Sequence, residues 1–263
     1  MAVLSAERIK ITTTKSPLWC TVIIIALALG VAWMIGRSSS SSISSYNDHA
    51  AEGTSDLEKF LPTFAEAGLG VSGFGIMVLM IMAALAVTSE YRFGVIRTTF
   101  QAVPDRRSVL IAKVALLGSF GALLTFVLMF GALAVTRWSA GTEGSVNLAL
   151  DSADAWRAVY GVPIFAFLCV ILAIGVGTLL RQSAGAIALL LLWPLLIESL
   201  FGMFGSFGRA VTPFLPFANA DHFLGNTSGT NFHWGPWGSL IYFAAFVLVV
   251  FGAGLVVADR RDA

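Results

Sequence analysis

The residues in this chain able to do chemistry are few and sit apart. Glu90 to Lys113, EYRFGVIRTTFQAVPDRRSVLIAK, is the only long charged run lying between two strongly apolar stretches. Glu198 is an acid inside an apolar stretch, one helical turn after Pro194. His49, His222 and His233 fall in separate segments without metal-ligand spacing, and no CxxC occurs. An enzyme working at membrane depth needs a nucleophile–base pair, a His/Glu metal set or paired aspartates. The sequence spells out none of these. It also lacks a GxxxxGK[ST] phosphate-cradling loop, so no cofactor or nucleotide is expected on this chain itself.

The charged run offers a grip rather than a reaction. A helix from Tyr91 to Ala102 would place Tyr91, Val95, Thr98 and Ala102 along one side, with Arg92, Ile96 and Thr99 on an adjacent one. Pro104 then stops it. Arg106 and Arg107 precede the next apolar stretch, where cations anchor a helix end by snorkelling. The pattern fits a plain basic loop that sets topology, and equally a short rigid helix that a partner pushes. Glu198 also has two readings. One is interfacial, bonding backbone that Pro194 frees; the other is a polar contact or gate at the outer end of a pathway. An acid at mid-membrane is unfavourable by ~2.5–3.5 kcal/mol, so it is expected to be paired, hydrated or protonated.

The elements that must position these residues are apolar. The chain has 263 residues, 57% hydrophobic and 12% charged, with mean hydropathy +0.84. A soluble domain is nearer a quarter charged. Net charge is +1, which gives no basic surface for nucleic acid. Six spans are expected, at about 18–35, 69–88, 109–136, 158–180, 184–204 and 239–257. Residues 1–17 are expected to form an interfacial segment, and the serine run from Ser38 to Ser42 a flexible loop. A short surface helix from Asp56 to Ala67 is expected, weakened by Pro62. Gly68, Gly70, Gly73 and Gly75 would permit close helix approach. The Gly/Pro/Phe-rich stretch 205–238 is too broken for a span and is expected to dip into the interface, with Trp234 and Trp237 at headgroup level. Cys20 and Cys169 lie in separate apolar segments and read as small fillers, not a disulfide.

Six spans put both termini on one side. That side holds eleven cations: Arg8, Lys10, Lys15, Arg92, Arg97, Arg106, Arg107, Lys113, Arg181, Arg260 and Arg261. The other holds five: Arg37, Lys59, Arg137, Arg157 and Arg209. The positive-inside rule then places the termini and Glu90–Lys113 in the cytoplasm.

Glu90-Tyr91, Gly94, Pro104, Arg106 and Ala112-Lys113 together resemble the intracellular loop of the type-2 ATP-binding-cassette (ABC) exporter permeases. That loop has an acidic-aromatic pair, a glycine, a proline-arginine turn and an alanine-lysine step into the third span. Glu7-Arg8-Ile9-Lys10 through Ser16-Pro17-Leu18-Trp19 is similar to the family's leading helix, most of all in the short actinobacterial drug-efflux-like permeases. Val95 departs from the pattern, since threonine commonly follows the glycine. The resemblance implies one permease domain over 1–263: an all-α membrane protein of six transmembrane helices, with a coupling helix between spans two and three within 89–108. It implies a multi-pass protein of a bacterial plasma membrane, with two ATPase partner chains that bind ATP and Mg, and a second permease chain. Glu90, Tyr91, Arg92, Phe93, Gly94, Arg97, Pro104, Arg106 and Lys113 would be its coupling residues. The expected substrate is an amphipathic or lipophilic small molecule, because apolar spans would line any cavity. A passive channel or a membrane scaffold is the alternative, and an intramembrane enzyme a more distant one.

Overall fold

In the structure, a computed structural model, the described residues are 7, 9, 10, 13, 15–51, 58–96, 106–226 and 231–260. Among them every regular element is helical. Six helices are long and apolar enough to cross a membrane. They are α1 (Lys15–Ala51), α2 (Gly70–Arg92), α3 (Arg106–Gly144), α4 (Ala153–Leu180), α5 (Ser183–Phe201) and, after the short α6 (Pro216–Leu224), α7 (Pro236–Arg260). Large apolar side chains also face outward on them, such as Leu123, Val127, Leu195, Leu196, Leu248 and Val249. A chain apolar both inside and outside is built for lipid. This is an all-α, multi-pass membrane protein.

The helix α4 is central, packed by α2, α3 and α7, and it owes that place to glycines. A Cβ on Gly175 would stand 2.9 Å from the Phe251 Cα, and one on Gly177 would stand 3.3 Å from the Ala84 carbonyl. Small residues let helix backbones approach where lipid offers no hydrophobic drive. Gly70 acts likewise. A Cβ there would meet the Leu27 and Ala28 carbonyls at 2.7 and 2.9 Å, so α2 lies directly on α1. The first turns of α2, Gly70–Gly75, are π-helical. A Cβ on Gly73 would meet no neighbouring helix, so the close contact expected of the whole glycine run falls to only part of it.

Two expectations are corrected here. The serine run is not a flexible loop: α1 continues through it to Ala51. With 37 residues α1 extends roughly 55 Å, and α3 runs about 50 Å before Gly141, at φ +76°, breaks it; both go well beyond a ~30 Å hydrocarbon layer. They overrun it as a pair. Ser39 is buried where a Cβ on Gly144 would come within 2.7 Å of its hydroxyl. Ser39 Oγ donates to the Phe60 carbonyl at 2.8 Å, and Ser42 Oγ accepts from the Phe60 amide at 3.0 Å. Small hydroxyls here hold a returning strand of chain instead of freeing the helix. The surface helix is also shorter than expected, Phe64–Ala67, because it starts only after Pro62. Thr63 and Glu66 form a reciprocal capping box at its start. Residues 52–57, the beginning of the expected helix, lie outside the described residues.

Candidate functional site

At the end of the bundle where α2 finishes and α3 begins, four charged side chains converge. Glu90 is in the last turns of α2, and Lys113 lies about two turns into α3. Lys113 Nζ donates to Glu90 Oε1 at 2.8 Å and to Glu7 Oε2 at 2.5 Å. Lys10 Nζ donates to the same Glu90 Oε1 at 2.8 Å and to Glu7 Oε1 at 3.0 Å. Two ammoniums thus meet two carboxylates, and the formal charge cancels. Lys113 and Glu7 are each 3% exposed, and Lys10 is 36% exposed. Burying single charges at this depth would be prohibitive, and mutual pairing is what permits it. For Lys10, burial alone would lower the pKa, but hydrogen bonds to Glu90 and Glu7 outweigh it and raise the value. Sequence reasoning named Glu90 and Lys113 but not Glu7 and Lys10 as their partners. The available signal was an opposite pair at i, i+3 together with a lone cation, Lys113, inside the run Ile111 to Leu117.

Beyond Glu90 the chain turns. Phe93 closes α2, its amide donating to the Ser89 carbonyl at 2.9 Å, and Gly94 follows with φ +70°. Among the described residues nothing would touch a Cβ on Gly94, and it is the left-handed backbone there that calls for glycine. The expected helix from Tyr91 to Ala102 is therefore corrected at its start. Tyr91 and Arg92 end α2, the turn intervenes, and Val95 and Ile96 are helical again. Arg97 and Pro104 lie outside the described residues. Phe93 is 72% exposed, with the Arg92 guanidinium 5.6 Å from its ring centre.

The remaining coupling candidates join this end to other helices. The Arg181 guanidinium sits 4.8 Å above the Tyr91 ring, and Arg181 itself is the left-handed cap of α4. Ser183 Oγ donates to Thr88 Oγ1 at 2.9 Å, tying the start of α5 to α2. Arg106 donates to the Ala258 carbonyl at 2.9 Å, where a cation suits the C-terminal end of α7. Arg107 pairs with Asp259 at 2.6 Å, but both are solvent-facing and contribute little to stability. Polar and cation–π contacts thereby join the leading segment to the ends of α2, α3, α4, α5 and α7 at this face.

Glu198 and Pro194 belong to a different place. Pro194 lacks an amide hydrogen, and α5 widens into a π turn over Trp193–Glu198. The carboxylate does not bond backbone freed by the proline. It reaches across to α6, where Oε1 accepts from the Phe217 amide at 3.0 Å and Oε2 from the Ala218 amide at 2.7 Å. Trp193 Nε1 also donates to Oε1, at 2.9 Å. Glu198 is thus an acid placed on the N-terminus of α6, satisfying amides that the helix leaves open. The helix α6 packs into the bundle with Phe223 fully buried, and buried Asn219 accepts from Trp234 Nε1 at 2.8 Å. Trp237 lies within α7. Replacing Glu198 with glutamine turns one acceptor oxygen into a donor facing an amide. Stability should fall by about 1–3 kcal/mol, the usual penalty for leaving a buried group unsatisfied. A lower thermal unfolding midpoint in detergent would show it, and an unchanged midpoint would leave Glu198 without this structural role.

Both cysteines are free thiols. Among the described residues no group of three His, Cys, Asp or Glu side chains is gathered as metal ligands would be. Comparison with protein-family descriptions, with curated proteins and with solved structures gave no match.

Proposed function

We propose that this chain is the permease subunit of an ATP-driven exporter whose ATPase is a separate polypeptide, docked at the Phe93–Gly94 turn. The observation that carries this reading is the cross-linking around that turn. An exposed aromatic stands beside Glu90, and Glu90 is bonded through lysines to the leading segment and to α3. Tyr91 and Thr88 carry the contact on to α4 and α5. A push delivered there is passed to several spans at once, as coupling of a water-side motor to lipid-embedded helices requires. The resemblance of Glu90-Tyr91, Gly94 and Ala112-Lys113 to type-2 ABC exporter permeases supports the same reading, as does the excess of cations at this end, which would make it cytoplasmic. In this account two permease chains and two ATPases assemble in a bacterial plasma membrane, and the cargo is an amphipathic or lipophilic small molecule.

The test begins with an ATPase encoded beside this chain. Co-expressed with it, that ATPase should co-purify through a tag on this chain and hydrolyse ATP in proteoliposomes, with export of a fluorescent lipophilic dye. A partner that neither associates nor changes its turnover would remove the reading.

A further inference from the structure

We propose that the cavity beside the ionic cluster binds an amphiphile headed by a protonated primary amine, seated on Glu90. A cavity of about 440 Å³ opens between the leading segment, α2 and α3, a size within the range of small-molecule sites. Met82, Leu85, Ala86 and Leu117 contribute apolar wall, and the Glu7–Lys10–Glu90–Lys113 cluster supplies most of the polar lining. Ser89, also on the wall, has its hydroxyl engaged with the Leu85 carbonyl at 2.6 Å.

The Glu90 carboxylate is used unevenly. Both ammoniums donate to Oε1. Oε2 is buried, and among the described residues no donor reaches it. The Glu90 side chain is only 10% exposed, so water does not compensate. A buried carboxylate oxygen without a donor is unfavourable, and a ligand that brings N–H groups relieves it. An anion brings no donor for Oε2. A hydroxyl brings one donor and no charge, and a quaternary ammonium brings charge and no donor. A primary ammonium brings a compact charge with three donors, the same chemistry as the lysine head already there. Lys10 is the exchangeable partner, since it is 36% exposed and lies outside the spans, whereas Lys113 is 3% exposed. An incoming ammonium that displaces Lys10 leaves the charge at the carboxylates unchanged and gives Oε2 a donor. The tail then lies against Met82, Leu85 and Leu117. This inference stands apart from the transport reading, because binding needs no ATPase.

The experiment uses the full chain in phosphatidylcholine nanodiscs and three photoreactive probes with one dodecyl tail, headed by a primary amine, a hydroxyl or a trimethylammonium. Adducts are mapped by mass spectrometry. The amine should label the peptides around Met82–Phe93 and Lys113–Leu117 in preference to lipid-facing α5, and the other two should not. Ala86→Phe narrows the cavity without touching the cluster and should cut that labelling about tenfold. Lys10→Ala removes the competing ammonium and should raise it. Added phosphatidylethanolamine decides the source of the amine: competition points to a membrane aminolipid, and no competition to a free alkylamine. Equal labelling by the three heads would overturn the proposal. So would amine labelling that Ala86→Phe leaves unchanged while Lys10→Ala fails to raise it.

Discussion

Lys113→Met should leave little folded protein. The substitution removes one of two cations from a cluster in which Glu7 is 3% exposed and Glu90 10% exposed at the side chain. Lys10, about one-third exposed, would then face two buried carboxylates alone. Taking one partner from a buried charge pair typically destabilises by about 3–5 kcal/mol, because the remaining charge stays desolvated. That is a large part of the ~5–15 kcal/mol that holds an ordinary domain together. The expected readouts are a sharp drop in monodisperse yield from detergent and a lower thermal unfolding midpoint. Methionine fills nearly the same volume, so packing alone does not predict this loss. The double variant Lys113→Met with Glu90→Gln restores neutrality, leaving Glu7 with Lys10, and should recover part of the midpoint. A single variant as stable as the parent would mean that these charges are not paired in the buried geometry described.

The six spans were legible because hydropathy reports the transfer of side chains to lipid, and that term dominates long apolar runs. The ends of α1 and α3 were not legible. Ser38 to Ser42 are polar, and polarity alone reads as water-facing loop. Yet Ser39 packs against Gly144 of α3, and Ser39 and Ser42 bond Phe60. The position of Gly94 was legible and its reason was not. A sequence shows that a glycine is present, whereas the φ of +70° belongs to the folded turn. Glu90 and Lys113 stood out as charges beside apolar runs. Their link to Glu7 and Lys10 spans eighty residues or more and depends on how the leading segment folds back, which no local pattern encodes. Glu198 was singled out correctly as an acid needing partners, but its partners lie on α6, a helix hidden inside a Gly/Pro/Phe-rich stretch.

The most direct test of the docking account is at Phe93. Tyr91→Ala is a poorer test, because it also strips the ring from beneath Arg181. Phe93 is 72% exposed at the turn after α2, so Phe93→Asp should leave the fold and its unfolding midpoint unchanged. An exposed aromatic that becomes the centre of an interface contributes about 2 kcal/mol or more, roughly a thirtyfold change in affinity. The decisive measurement is the affinity of the proposed ATPase partner for this chain in nanodiscs, wild type against Phe93→Asp, with ATP turnover and export followed in proteoliposomes. The account predicts a well-folded variant that binds the ATPase roughly thirtyfold more weakly and exports little. A folded Phe93→Asp variant with undiminished affinity and fully coupled export would contradict it, and would leave the Glu90 turn with no part in coupling.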